Sequence, residues 1–146
     1  MNIEDQMNLL YWHFANDPNI IENIQLPNGA NPTTRIFKSR QPTGEAKDRI
    51  ALCFYLSGIL PTNNYLILRH MLQVVFHVPR EIQNATNNAY RLANATYRLL
   101  HGKKLNHPLL ESHITPYFQQ SLGELATAEG FFSYGMLFHY DMKEEW

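Results

Sequence analysis

A single cysteine, Cys53, excludes a disulfide framework within the chain. It sits in the apolar run IALCFYL and reads as a small buried hydrophobe. Strong net charge is also lacking. Twelve bases face thirteen acids, for a net −1, so the molecule as a whole has no pull toward DNA, RNA or an anionic membrane. No apolar run approaches the roughly 20 residues of a membrane span. The opening Ile3 to Asp5 is polar and acidic, which is not how a signal peptide starts. A cytoplasmic protein is therefore expected. The tripeptides Asn84-Ala-Thr86 and Asn94-Ala-Thr96 then match the glycosylation pattern by chance.

Reactive motifs are scarce too. The histidines are His13, His70, His77, His101, His107, His113 and His139, and no two stand four apart as a helical metal pair would. His70 and His77, seven apart, would share one face of a helix. Ser39, Ser57, Ser112, Ser121 and Ser133 have no GxSxG setting, and there is no P-loop or GxGxxG. The acidic pair Glu144-Glu145 reads as solvated charge. No catalytic residue, metal site or cofactor is expected, and an enzyme is not.

What is present is apolar material, 45 % of residues, with 12 % aromatic. That suffices for one domain over residues 1–146. Helical spacing dominates. A first helix is expected over about Ile3 to Phe14, ended by Pro18, which disfavours helix at Asp17. Residues 17–43 hold Pro18, Pro27, Pro32 and Pro42 and the Asn28-Gly29 pair, and read as a long irregular segment. A second helix is expected over about Gly44 to Gly58. A third follows Thr62, a candidate N-cap, with Leu68, Met71, Leu72, Val75 and Val78 as its stripe. A fourth covers about Ile82 to His101, with Gly102 as C′ residue. A fifth runs from about Leu109 to Leu122 and a sixth from about Glu124 to Met142. The expected class is all-α, a single bundle of about six helices.

Charge divides unevenly along the chain. Residues 1–34 hold four acids and no base, residues 35–104 eleven bases and three acids, and residues 105–146 one base and six acids. One consequence is compensation within the molecule, acidic ends against a basic centre. The other is a basic face for an acidic partner protein, built from Arg80, Arg91, Arg98, Lys103 and Lys104. Phosphate could also be collected there, but no nucleic-acid-binding motif supports it.

Leu60-Pro61, then Asn64-Tyr65, then Leu68, Met71, Val75 and Val78 form an ungapped pattern with Arg91-Leu92-Ala93 and Leu100. This resembles the later part of a RhoGAP domain, over about residues 46–101 and more weakly to about 140. AlaLysAspArgIleAlaLeuCysPheTyrLeuSerGlyIle before Leu60 is similar to the helix preceding Leu-Pro in that family. The family's Asn-Lys-Met corresponds to Ala85-Thr86-Asn87, and its GTPase-facing asparagine to Arg91. Arg35-Ile-Phe-Lys38 looks like the arginine-finger motif but carries lysine at the finger, which lacks the planar fork that stabilises transferring phosphoryl charge. The resemblance implies a degenerate RhoGAP-like helical fold without the catalytic residues.

A full RhoGAP domain is longer, so either residues 1–43 provide a shortened replacement for its first part, or an apolar face is left uncovered and marks an interface. Tyr11, Trp12, Phe131, Phe132, Tyr134, Phe138 and Tyr140 are anchor types for such a surface, and equally for a core. The expected function is a non-catalytic interaction or scaffold module whose partner is a protein, including a second copy of itself. By resemblance, the alternatives are a pseudo-GAP holding a Rho-family GTPase, or an active GAP.

Overall fold

The computed structural model describes residues 1–25, 35–42, 49–82, 84–126 and 130–143. Pro27, Pro32, Asn28-Gly29 and Glu144-Glu145 lie outside the described residues. The chain is a mixed α/β fold, which corrects the expected all-α bundle of six helices. It runs α1 (Ile3–Asn16), α2 (Pro18–Gln25), β1 (Ile36–Phe37), β2 (Ala51–Pro61), β3 (Ile67–Pro79), α3 (Ala85–Leu100), β4 (Tyr117–Glu124) and β5 (Phe131–Lys143). The strands form one sheet in the order β1-β2-β3-β5-β4. β1 runs parallel to β2, and every other pair is antiparallel.

The first and fourth expected helices are present as α1 and α3. The other expected helices are not. The second and third are the β2–β3 hairpin, the fifth gives way to irregular chain and β4, and the sixth is β5. The RhoGAP-like bundle goes with them, because its Leu-Pro signature closes a strand. Thr62 is a turn residue, not a helix cap. Its Oγ1 donates to the Ile67 carbonyl at 2.7 Å and accepts from Asn64 N–H at 3.2 Å. Asn64 Oδ1 accepts from Leu66 N–H at 3.0 Å. Side chains that cap helices close Asx and ST turns by the same hydrogen bonds.

The segment expected to be irregular from residue 17 begins as helix. Asp17 is extended, at φ −85° and ψ 119°, and ends α1. Its Oδ2 then accepts from Ile20 N–H at 3.0 Å, capping α2, and Pro18 fills the first helical position, where no N–H is needed. Asp17→Ala should cost about 1 kcal/mol through loss of that cap. A urea midpoint unchanged from wild type would show that the cap does not stabilise this corner.

The core lies between the helices and one face of the sheet. Leu72, Val74, Phe76 and Val78 of β3 point into it, beside Leu52 and Phe54 of β2 and Met136, Phe138 and Tyr140 of β5. Leu9, Leu10 and Phe14 of α1, Ile20 and Ile24 of α2, and Leu92 and Leu100 of α3 close it from the other side. Phe14 meets Phe54 with ring centroids 5.1 Å apart. Of the aromatic anchors expected for an interface, Phe132, Phe138 and Tyr140 are buried in this core, while Trp12 is 38 % exposed.

β3 is central and is covered on both faces near its C-terminal end. There Arg40 lies against the second face. His77 Nε2 meets the Arg40 carbonyl at 3.0 Å, and the Arg40 guanidinium lies over the Tyr55 ring at 5.2 Å. A strand buried on both sides loses its apolar–polar alternation, so LQVVFHV reads as a continuous apolar run.

Candidate assembly surface

α3 places the residues expected to meet a partner. Its sheet-facing side is Ala89, Leu92, Ala93, Thr96 and Leu100. Its outward side follows by helical spacing: Asn87, Tyr90, Arg91, Asn94, Tyr97 and Arg98, all exposed. Gly102 ends the helix region at φ +68°, the left-handed conformation expected of a C′ residue. Lys103 and Lys104 follow it, both exposed. Arg91, Arg98, Lys103 and Lys104 therefore extend one basic strip from mid-helix past its end.

Two tyrosines are set into that strip. Tyr90 is 51 % exposed and meets Phe132 and Tyr134 edge-on, at 6.3 and 5.4 Å between centroids. Tyr97 is 39 % exposed, stacks on His101 at 4.7 Å and meets Phe118 edge-on at 5.4 Å. Each ring is held from below with a face left to solvent. Tyrosine and arginine together are the usual composition of energetic hot spots.

Arg80 belongs elsewhere. Its Nη2 donates to Glu124 Oε1 at 2.8 Å and its guanidinium lies over the Phe132 ring at 5.9 Å. It lines an open polar hollow with Asn84, Thr86 and Asn87, at the start of α3. Arg69 is likewise satisfied, by a bidentate contact to Asp141 at 2.9 and 3.2 Å. That contact holds the Asp141 carboxyl below its ordinary pKa. None of Arg91, Arg98, Lys103 and Lys104 takes part in an ion pair among the described residues. The same holds for Glu4, Asp5 and Glu22. The expected compensation within the molecule thus covers Arg69 and Arg80, and leaves the α3 strip out.

Two further features face solvent. The β2–β3 turn exposes Leu60 (48 %), Tyr65 (84 %) and Leu66 (47 %). β4 is an edge strand whose register shifts twice, between Phe118 and Gln120 and between Ser121 and Gly123. Bulges of this kind blunt an edge against indiscriminate pairing.

Groups with the makings of chemistry are locked inside. Ser133 and His77 sit opposite one another on β5 and β3, with Oγ 2.8 Å from Nδ1. The Arg40 carbonyl can only accept, so His77 carries its proton on Nε2 and Nδ1 accepts from the Ser133 hydroxyl. The pair has the form of a nucleophile and base, but both residues are buried, and the histidine's second nitrogen holds a carbonyl in place of a carboxylate. Seven is an odd number, so His70 points to the opposite face of β3 from His77. His70 stacks on Tyr140 at 5.2 Å, and the Tyr140 hydroxyl donates to Gln6 Oε1 at 2.8 Å. The Cys53 thiol is buried and pushed up to about 12 by desolvation, so it is no nucleophile at neutral pH. No cluster of three potential metal ligands occurs among the described residues. No helix among them is long and apolar enough to cross a membrane.

No family model matches the chain, and no curated protein matches it. A solved structure does match. One chain of the virion of a native gene transfer agent particle superposes with a TM-score of 0.65, over 94 % of this chain and 94 % of that one. The two share a fold. At 11 % identity the likeness extends to the fold alone.

Of the surface, the sequence located the four basic residues and the helix that carries Arg91 and Arg98. It did not single out Tyr90 and Tyr97 beside them on the exposed side of α3. Their signal was present, since both recur seven apart beside an arginine, as Tyr90-Arg91 and Tyr97-Arg98. The buried His77–Ser133 and Tyr140–Gln6 pairs had no local signal, because their partners are 56 and 134 residues apart.

Proposed function

We propose that this chain is a non-catalytic structural subunit that builds a larger particle by associating with other protein subunits, copies of itself among them. The observation that carries the reading is the end-to-end fold likeness to a chain of a virion particle, covering 94 % of both chains. Its site chemistry agrees with that reading. The serine–histidine pair and the thiol are buried, whereas the exposed positions of α3 carry tyrosine and arginine. The expected GTPase-binding readings rested on a helical bundle, and no feature of this fold favours them.

Sedimentation velocity and light scattering over a concentration series test the proposal. The expected result is a mass that rises with concentration toward a defined oligomer, visible as regular particles by negative-stain microscopy. A monomer at every concentration up to the millimolar range would remove self-association from the proposal.

A further inference from the structure

We propose that copies of this chain associate head to tail, the basic face of α3 on one copy docking against the acidic α1–α2 helices of the next. The inference rests on the self-associating reading above and names the surfaces that carry it. The charged side chains of α3 are both basic, Arg91 and Arg98, and Lys103 and Lys104 extend the strip. Those of α1, α2 and the corner between them are all acidic, Glu4, Asp5, Asp17 and Glu22, with His13 counted neutral. Asp17 is engaged as the α2 cap, whereas Glu4 and Glu22 are exposed.

Neither set makes an ion pair within the molecule among the described residues, although Lys38 lies against α1 at Asn8 and Tyr11. The chain is near neutral overall, so the charge each copy leaves unmatched on one face is the charge the next copy supplies on another. Anchors lie on both surfaces: Tyr90 and Tyr97 on the basic side, and on α1 the 38 % exposed Trp12, one side of which His107 of the same chain already meets at 5.3 Å. A head-to-tail contact closes into a ring or propagates as a filament, whereas the same two surfaces meeting reciprocally give a two-fold dimer. A mass that stops at two chains would be that dimer and would overturn the head-to-tail arrangement. Exposed charges act over about 8 Å at physiological salt, so the contact should weaken as salt rises.

Charge reversal in the full chain tests this. Two variants are needed, R91E/R98E and E4K/E22K, each checked for a wild-type far-ultraviolet spectrum. Each alone presents like charges at the contact and should associate at least roughly tenfold more weakly than wild type. Mixed in equal amounts they should assemble again, in alternation, because each then meets its complement. The quadruple variant should recover self-association for the same reason.

A wild type that stays monomeric defeats the self-associating reading and this inference with it. A wild type that assembles while either double variant assembles equally well defeats only the inference. So does a mixture that stays dissociated. A fluorescent DNA oligonucleotide provides the remaining arm. If R91E/R98E abolishes oligonucleotide binding yet leaves self-association intact, the strip serves nucleic acid and the head-to-tail contact is wrong.

Discussion

Replacing Phe76 with alanine is expected to lower the unfolding free energy by about 3–5 kcal/mol. Phe76 is fully buried on β3, opposite Leu52 of β2 and Tyr134 of β5, and its ring points at the helices. A β-strand held on both sides by ladder hydrogen bonds cannot move inward to refill the space. Domains of this size have only about 5–15 kcal/mol in total, so the loss is a large share of it. Urea unfolding should show a lower midpoint with little change in slope. The experiment also separates strand from helix at this segment. The helical stripe of Leu68, Met71, Leu72, Val75 and Val78 leaves Val74 and Phe76 outside the core, whereas the strand places Leu72, Val74, Phe76 and Val78 inside it. Leu66→Ala in the exposed turn is the control and should change stability by less than about 0.5 kcal/mol. A Phe76→Ala variant no weaker than that control would refute the packing described above.

Mild acid is the second large perturbation. Burial lowers the pKa of His70, His77 and His139 below the ordinary 6.5. At His139 the nearby Arg69 adds to the effect. At His70 the Leu68 backbone and Asp141 oppose it, as the Arg40 carbonyl does at His77. The sign follows from linkage. The unfolded chain takes up these protons near pH 6.5, and the folded chain resists them. Their contribution is whole above pH 6.5 and is lost as pH falls below it. Melting temperature should therefore drop between pH 7 and pH 5, before carboxylates such as Asp141 begin to protonate. His77→Gln should be less stable at pH 7, since it loses the bonds to Ser133 and Arg40, and should show a shallower fall toward pH 5. A wild-type melting temperature that holds constant from pH 7 to pH 5 would show that these rings tolerate charge in place.

Particular residues give the strands their helix-like spacing. In β5, PhePheSerTyrGlyMetLeuPheHisTyrAspMet contains apolar residues at nearly every spacing, three and four included. A run that dense satisfies a helical template without being a helix. The available counter-signal was composition: aromatic and β-branched residues crowd IALCFYLSGIL, LQVVFHV and FFSYGMLFHY, and these favour pleated surfaces. Pro-Thr-Asn-Asn between two such runs is turn chemistry, and it was equally consistent with a helix start.

Read alone, the sequence settled α1, α3, the Gly102 terminus and the buried character of Cys53. Each is local. A helix bonds residues four apart, so its faces and ends are written within a few turns of chain. The sheet was decided only by tertiary structure. β3 takes its partners from β2 and from β5, and residue 67 pairs with residue 143. Whether a strand shows one apolar face or two depends on what the rest of the chain lays across it. Here that was Arg40 on one side and the helices on the other, which no window of sequence contains.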